Sequence, residues 1–373
     1  MNKSLLLIII LLLIRMISSN AQEDSSILST PQVKPISHKQ INPLCPQLSL
    51  EEQKINNLKA HISLWKRNSL TPSPVSPWAN STCADIAQQQ ELLYNQLKLI
   101  KPQYQIKRQI VIAVIDTGID YTNPSLNSRI YRPAGWNLPE DFKGFNLVQQ
   151  DFFPMDKVGH GTHVSGIIAG LFPEAKLLPI KFYENSNMRA SLGVAIRLAV
   201  YMGANIINIS GGYGADSTEQ EAINLAREKG VLIVSAAGND SKNLDKIGDE
   251  YYPASYESDN IISVMANDDN GYIAPYSNFG INHADISALG TIQSYLPSTI
   301  SPSCNGSMSG TSQATPIITA TVAMLWASQP QLNYNEVKAQ VLKGVDTSIL
   351  FMAANKSQGT VNIDRTISGH IQK

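Results

Sequence analysis

Residues 110–119 read IVIAVIDTGI, an apolar run that ends directly in Asp116-Thr117-Gly118. Further short, largely apolar runs occur at 177–180, 206–209, 231–234 and 261–265, with Asn208 and Ser263 as single polar residues inside them. Continuous runs of this kind are typical of strands that are buried on both faces, as in a parallel sheet. Helical patterns lie between the runs, and this alternation predicts a doubly wound α/β domain, a mostly parallel sheet with helices on both faces.

Two of the connecting segments carry helix signals of their own. Residues 218–229 begin with a Thr218/Glu221 capping box and end at Gly230, which favours a left-handed helix cap. Residues 191–202 have one apolar face, formed by Leu192, Ala195, Ile196 and Ala199. Both segments are predicted to be helices that pack on the sheet.

Composition limits the classes of function. The chain has 373 residues, of which 43% are hydrophobic and 16% charged, so it contains enough apolar material for a large core. Its 29 basic and 30 acidic residues leave a net charge of -1, and without a basic excess no nucleic-acid partner is expected. Three cysteines are too few for a scaffold built from disulfides.

The first 21 residues have the pattern of an export signal. Lys3 gives a positive start, residues 5–14 are an unbroken apolar run, and small residues precede Gln22. The alternative is an uncleaved membrane anchor, which needs roughly 20 apolar residues, whereas Arg15 interrupts this run. We therefore predict a signal peptide over 1–21 and a secreted or periplasmic mature protein that makes no membrane contact after cleavage.

Residues 22–105 are predicted to form a small helical module punctuated by prolines. Its first helix begins at a Ser49/Glu52 capping box, and its second at a Thr82/Asp85 pair. The apolar faces consist of Leu58, Ile62 and Trp65 in the first helix and of Ile86, Leu93, Leu97 and Ile100 in the second. Both faces have helical spacing, which indicates that each helix packs against something.

Two cysteines flank the first predicted helix. Cys45 precedes it and Cys83 opens the second helix, and the linker between the helices is long enough to return along the first. A Cys45–Cys83 disulfide is therefore sterically allowed, and two free thiols are the alternative. Cys304 is interpreted as structural or unpaired. A glycosylation sequon at Asn80 would matter only on a eukaryotic secretory route.

Ligand sites in open parallel sheets form beyond the carboxyl ends of the strands. Three predicted strands end in a polar group beside glycine, in the segments Asp116-Thr117-Gly118, Ser210-Gly211-Gly212 and Ala237-Gly238-Asn239. Glycine allows a ligand to approach the backbone closely, so these three ends are predicted to line one site. Asp116 taken alone has a second interpretation, as the N-cap of a following helix.

Two glycine-rich segments add further candidates. Residues 159–166 contain His160 and His163, but no carboxylate or cysteine set that would complete a metal site accompanies them, so we assign no metal ligand and interpret His163 as structural. Residues 309–316 place Ser312 at the start of a helix that is apolar nearly all round and must be buried. The helix dipole favours negative charge there, although Ser312 could also be a simple cap.

In their order along the chain, the Asp, His and Ser segments resemble a known family. The segments VIDTGI (114–119), GHGTHV (159–164) and GTSQATP (310–316) are similar to the three signature blocks of the subtilisin-like serine proteases, or subtilases. The resemblance covers about residues 106–370. It implies that 106–373 is a subtilisin-like peptidase domain, that the protein is a serine endopeptidase, and that its partners are peptide or protein substrates.

The resemblance also implies roles for the matching residues. Ser312 resembles the nucleophile, His160 the general base, and Asp116 the residue that orients His160 and stabilises its charged form. Asn239 resembles the side-chain donor of an oxyanion hole. The residues expected to bind an extended peptide are Ser210, Gly211, Gly212, Ala237 and Gly238.

Several alternatives remain at this stage. The protein could be a catalytically silent secreted relative with a binding or scaffolding role, or a transpeptidase that uses the same acyl-enzyme. Many subtilases have an amino-terminal propeptide that inhibits the enzyme until the propeptide is cleaved off. Residues 22–105 occupy the corresponding position in this chain. Their helices do not match the usual mixed α/β propeptide, so a retained accessory domain is the rival interpretation.

No cofactor is required for the implied chemistry. Residues 268–271, Asp-Asp-Asn-Gly, suggest a structural calcium site as one interpretation. A turn after the preceding strand is the favoured one, since this composition is typical of turns.

Overall fold

The computed structural model describes residues 50–65, 85–99, 104–186, 188–301 and 303–369. The predicted signal peptide, the Ser49 cap, Ile100 and the Asn80 sequon lie outside the described residues. Within these ranges, no helix has the length and apolar character needed to cross a membrane.

A nine-stranded sheet forms the centre of the described structure. The strands of the chain are β1 (Val111–Asp116), β2 (Phe145–Asn146), β3 (Lys176–Lys181), β4 (Tyr183–Asn185), β5 (Met188–Arg189), β6 (Ile206–Ile209), β7 (Leu232–Ala236), β8 (Ile261–Asn267), β9 (Ile286–Leu289), β10 (Thr291–Tyr295), β11 (Asn305–Ser309), β12 (Val345–Thr347) and β13 (Gly359–Val361). The order in the large sheet is β12-β13-β9-β8-β7-β6-β1-β3-β2. Its pairings are parallel except for β12 with β13. The predicted mostly parallel sheet is confirmed, with a strand at each of the five apolar runs.

Both faces of the sheet are covered, and the burial of β1 shows why its sequence has no polar alternation. Ile112 and Val114 belong to one apolar cluster, whereas Val111, Ala113 and Ile115 belong to the cluster on the other side. Successive side chains of a strand point to opposite faces. A strand that is apolar at every position is therefore stable only between two layers.

Helices supply those two layers. They are α1 (Leu50–Ser63), α2 (Ile86–Leu97), α3 (Pro124–Asn127), α4 (His160–Leu171), α5 (Leu192–Tyr201), α6 (Ser217–Glu228), α7 (Thr311–Ser328), α8 (Tyr334–Lys343) and α9 (Ile363–Ser368). Side chains of α4, α7, α8 and α9 share the first cluster, and those of α5 and α6 share the second. Helix α7 is buried along nearly its whole length, as its apolar sequence predicts.

Two predicted helix caps are wrong, because a neighbouring aspartate takes the position. Helix α6 begins at Ser217. Its N-cap is Asp216, whose side chain accepts from the Thr218 N–H at 2.7 Å, in place of the predicted Thr218/Glu221 box. In α2, Asp85 is the N-cap and forms a box with Gln88, so it is not the partner of Thr82. Aspartate caps a helix at least as well as threonine.

Helix α1 packs on the layer of α5 and α6. Ile62 is buried in that cluster, and Leu58 packs against it. The ring of Trp65, just after the helix, lies 5.9 Å from the ring of Phe145 and 5.4 Å from that of Phe152. The apolar face predicted for the first helix is therefore a face that packs on the domain built around the large sheet.

Helix α2 packs on the opposite layer. Leu93 is fully buried, and a Cβ added to Gly170 of α4 would lie 2.5 Å from Leu93 Cδ1, so only glycine permits this approach. Gln89 is also fully buried, and its Nε2 donates to Ser294 Oγ at 3.3 Å. Contacts group the chain from Leu50 onward in one compact unit, which includes both helices.

Cys304, before β11, is fully buried and disulfide-bonded. Cys45 and Cys83, for which the sequence allows a disulfide, lie outside the described residues. Of the two interpretations of Cys304, structural or unpaired, the unpaired one is wrong. Spacing alone does not determine which cysteines pair.

Candidate active site

The predicted site residues meet at one edge of the sheet. Strands β1, β6 and β7 are adjacent and parallel, so their carboxyl ends lie together. Asp116 ends β1, Ser210 follows β6, and Asn239 comes shortly after β7. Helices α4 and α7 start beside these strand ends, and they carry His160 and Ser312 in their first turns.

A short hydrogen bond joins the predicted aspartate and histidine. Asp116 Oδ1 lies 2.8 Å from His160 Nδ1, and the same oxygen accepts from the Thr117 N–H at 2.7 Å. The aspartate is 4% exposed and the histidine side chain 28% exposed. Glycine is required at 161, because a Cβ there would lie 3.1 Å from the Asp116 oxygen and would collide with the Gly118 carbonyl. The interpretation of Asp116 as a helix cap is not needed to explain its contacts.

A second buried carboxylate holds this arrangement together. Asp156, 2% exposed, accepts from Thr117 Oγ1 at 2.9 Å, Val158 N at 2.9 Å, Gly159 N at 2.8 Å, and from N and Oγ1 of Thr162 at 2.8 and 2.7 Å. It therefore ties the loop after β1 to the start of α4. Asp156 is not among the predicted site residues, and an acid shortly before the histidine block is the only sequence signal that points to it.

The electrostatics of the site favour a protonated imidazole. Burial lowers the pKa of His160, but the charge of Asp116 and the hydrogen bond to it raise the pKa, and Asp156 adds to the rise. Together they hold the pKa of His160 above its ordinary value of 6.5.

The second histidine of the block has a different environment. His163 is fully buried, and its Nε2 lies 3.1 Å from the Gly306 carbonyl oxygen. Burial lowers the pKa of His163 to about 4, so the ring is neutral at physiological pH. The contact ties α4 to β11, and it gives His163 the structural position that the sequence suggests.

The hydroxyl of Ser312 points at a backbone carbonyl. Ser312 Oγ donates to the Ser210 carbonyl oxygen at 2.7 Å, and Ser210 Oγ donates to the Ser312 carbonyl oxygen at 2.9 Å. A buried chain continues from there, since Asn208 Nδ2 donates to Ser210 Oγ at 3.0 Å and Thr319 Oγ1 donates to Asn208 Oδ1 at 2.7 Å. In the described part of the chain, no hydrogen bond joins Ser312 to His160, and forming one requires a rotation of the serine about χ1.

The carboxamide of Asn239 is held in one orientation. Its Oδ1 accepts from the Thr311 N–H at 2.8 Å and from Thr311 Oγ1 at 2.9 Å. With the oxygen fixed by two donors, the Nδ2 hydrogens remain for a ligand in the cleft. Thr311, fully buried, is another residue that sequence reasoning missed, although it directly precedes Ser312.

The predicted peptide-binding segments lie beside these groups. Gly211 and Gly212 are half-buried, and a Cβ on Gly211 would meet nothing within 4 Å. Ala237 is fully buried, and the Gly238 N–H donates to Thr311 Oγ1 at 3.2 Å. Gly211 of the first segment thus faces open space, whereas the second segment is held by its hydrogen bond to the start of α7.

The residues 268–271 form the predicted turn. Asp268 Oδ1 accepts from the N–H groups of Asn270 and Tyr272 at 2.9 Å each, and Gly271 has a φ of +80°. Within the ranges that the structure describes, no cluster of three or more His, Cys, Asp or Glu side chains could hold a metal ion.

Known proteins share these sequence blocks. Residues 107–362 match the model of the subtilase family. The chain is 37% identical over 235 residues to the "Thermophilic serine proteinase" of Bacillus sp. (strain AK1), which aligns 60% of this chain with 53% of that protein. It is 36% identical over 231 residues to "Thermitase" of Thermoactinomyces vulgaris, covering 58% of this chain and 75% of that one. The chain thus spans about half the length of the first of these relatives.

The fold also has counterparts among solved structures. A structure described as a lanthipeptide protease superposes with a TM-score of 0.62 at 21% identity, covering 76% of this chain and 93% of that one. This likeness concerns the fold alone. With the family match extending over most of the chain, and with the strand order and the Asp, His and Ser blocks in place, the protein belongs to the subtilase family.

Proposed function

We propose that the protein is a secreted serine endopeptidase that hydrolyses peptide bonds through an acyl-enzyme on Ser312. His160 is the general base and acid, Asp116 orients it, and Asn239 belongs to the oxyanion hole. The observation that carries the proposal is the 2.8 Å hydrogen bond between His160 and Asp116 at the sheet edge that also holds Ser312 and Asn239. Subtilase relatives are serine proteases, which supports the same chemistry.

The proposed reaction begins with a change of hydrogen-bond partner. The Ser312 hydroxyl leaves the Ser210 carbonyl and turns to His160 Nε2, which is the ring nitrogen not held by Asp116. The serine oxygen attacks the scissile carbonyl carbon as its proton passes to Nε2. The imidazolium then protonates the leaving amine, and a water attacks the acyl-enzyme with the proton transfers reversed.

The proposed oxyanion hole consists of Asn239 Nδ2 and the Ser312 backbone N–H. Both would donate to the oxygen that becomes negative when the serine attacks. Thr311 prepares the first donor, because it binds Asn239 Oδ1 twice and prevents the carboxamide from turning over. Preorganised donors of this kind need no reorientation during the reaction. The position of Ser312 in the first turn of α7 adds the favourable end of the helix dipole.

The proposed peptide-binding edge is the segment that follows β6. Among the described residues, the N–H and C=O groups of Gly211 have no backbone partner. An extended peptide could therefore pair with this residue as an added strand. Ser210 is held by Ser312 on one side of Gly211, which fixes the edge relative to the proposed nucleophile.

We expect activity to fall in acid with a midpoint above pH 6.5. The base must be neutral. Burial lowers the pKa of His160, but the charge of Asp116, the hydrogen bond to it and the charge of Asp156 together hold that pKa above 6.5. A raised pKa means that the protonated, inactive form persists to a higher pH than for a free imidazole. The check is a pH profile of kcat/KM with a peptide substrate, with Tm followed in parallel. Full activity with an intact fold at pH 5 would contradict the role given to His160.

Two experiments test the two other functions, a silent binding relative and a transpeptidase. A serine-directed phosphonate should label the purified protein at Ser312 if it is an enzyme, whereas a folded protein that is not labelled would be a silent binding relative. Product analysis with an added amine acceptor separates hydrolysis from transpeptidation. Predominant transfer to the amine at low acceptor concentration would replace the hydrolase proposal.

We also propose that the helices α1 and α2 stay in the mature protein as an accessory part. Leu93 and Ile62 are buried in opposite layers of the peptidase domain, and each apolar side chain of this size contributes about 1.5–3 kcal/mol when buried. In the described residues, neither helix has a hydrogen bond to Ser312, His160 or Asn239. This arrangement favours a retained accessory role over a removable inhibitor for 50–99.

Mass spectrometry of the purified protein should therefore find residues 50–99 in the reduced mature chain, after loss of the signal peptide 1–21. The physical reason is that release would uncover the apolar surface that these helices cover on both layers. A Ser312→Ala variant shows whether any processing is the protein's own. A stable, active chain that begins after residue 99 would contradict retention.

A further inference from the structure

A tyrosine ring lies between the two segments proposed to bind the acyl side of the substrate. A Cβ on Gly212 would lie 2.6 Å from Cε1 and 3.0 Å from Cδ1 of Tyr251. A Cβ on Gly238 would lie 3.0 Å from Cγ and 3.1 Å from Cδ1 of the same ring. The ring therefore contacts both glycines and fills the space that separates them.

The backbone holds this tyrosine in place. The Tyr251 N–H donates to Ser255 Oγ at 3.1 Å, and the Ser255 N–H donates to the Tyr251 carbonyl at 2.9 Å. The next residue, Tyr252, exchanges two backbone hydrogen bonds with Tyr213, of 2.8 and 2.9 Å. Tyr213 directly follows Gly212, so this pairing fixes Tyr251 beside the proposed peptide-binding edge. The tyrosine is thus part of a tight turn that is hydrogen-bonded to that edge.

The proposed chemistry determines which substrate residue meets this ring. A peptide that pairs with Gly211 and directs its scissile carbonyl oxygen at Asn239 must place the residue carrying that carbonyl between the two segments. The side chain of this residue then points into the gap between Gly212 and Gly238. Both positions lack a Cβ, and the room that this leaves is filled by the Tyr251 ring together with the Tyr252 carbonyl oxygen beside Gly212 and Asn278 Nδ2 beside Gly238.

We infer that Tyr251 closes the pocket for the residue on the acyl side of the cleaved bond, and that the protein cleaves after small residues: glycine, alanine or serine. This inference rests on the proposed function. A phenylalanine or leucine at that position would have to displace a ring that is packed against backbone on two sides. Overpacking of this kind is costly, because the surrounding backbone cannot give way.

The test is a set of peptides that differ only in the acyl-side residue, which is Gly, Ala, Leu or Phe. We expect wild-type kcat/KM for the Ala peptide to exceed that for the Phe peptide by roughly 100-fold. In Tyr251→Gly the Phe peptide should gain about the same factor, while the Ala peptide gains nothing. Tyr272→Ala removes an exposed tyrosine, 57% accessible, and is the matched control that should leave the ratio unchanged.

The outcomes separate this inference from the proposed function. A wild type that is labelled by the phosphonate and cleaves the Ala and Phe peptides equally well would overturn the inference alone. A folded wild type that is neither labelled nor active on any of the peptides would overturn the proposed function, and the inference with it. If Tyr251→Gly does not fold, Tyr251→Val keeps a core contact and should raise cleavage after Leu, and an unchanged ratio there would also overturn the inference.

Discussion

Replacing Ser312 with alanine should lower kcat for peptide hydrolysis on the order of 10⁶-fold, the scale known from a subtilisin, a member of the same family. Only a hydroxyl can form the acyl-enzyme, and the neighbouring hydroxyl of Thr311 is fully buried and already donates to Asn239 Oδ1. The cost to stability should be small, because the hydroxyl makes one hydrogen bond, to the Ser210 carbonyl. The measurements are kcat, Tm and the loss of phosphonate labelling.

Ser309→Ala is the matched control for this variant. Ser309 is exposed, lies on the strand that leads to Ser312, and its hydroxyl contacts Thr291 Oγ1 at 2.9 Å. Its removal should leave both kcat and labelling unchanged. If the folded Ser312→Ala protein is still labelled at full stoichiometry, the nucleophile is a different residue.

Asp116→Asn should reduce kcat by about 10⁴-fold without unfolding the protein. The amide oxygen can still accept from Thr117, so the shape of the site is kept. What is lost is the negative charge that stabilises the imidazolium, the main influence that raises the pKa of His160. The remaining activity should therefore have an acid limb at lower pH than in the wild type, which a pH profile measures.

Asp269→Asn is the control, because Asp269 is an exposed aspartate on the turn 268–271. It should change neither kcat nor the pH profile. If Asp116→Asn lowers kcat but leaves the acid limb where it was, the charge of Asp116 does not act through His160, and the role proposed for it is wrong.

The strands and the layers were predictable because they depend on local apolar character. Residues 206–209 form β6 with the predicted bounds, since all four are buried and the one polar residue, Asn208, is hydrogen-bonded to Ser210 and Thr319. The ends of α6 and α2 were less predictable. Asp216 competes with Thr218, and Asp85 with Thr82, for one capping position, and sequence spacing does not rank two good acceptors within one turn.

The residues that support the site could not be predicted from the sequence, for a different reason. Asp156 and Thr311 act through hydrogen bonds to residues that the chain brings close only when folded. Their residue types are common in loops and helix starts, so nothing in the local pattern marks them. The orientation of the Ser312 hydroxyl is equally invisible in the sequence, because either partner satisfies a serine.

The packing of α2 has a consequence for how the protein is made. Gln89 binds Ser294, 205 positions further along the chain, and Leu93 shares its cluster with residues of α7 and α9. Such contacts between distant positions make folding slow, because a long loop must close before they form. As synthesis proceeds from the amino terminus, this early helix therefore has α4 as a partner but lacks the strand that carries Ser294 until most of the polypeptide exists, and during that interval it is a natural target for chaperones.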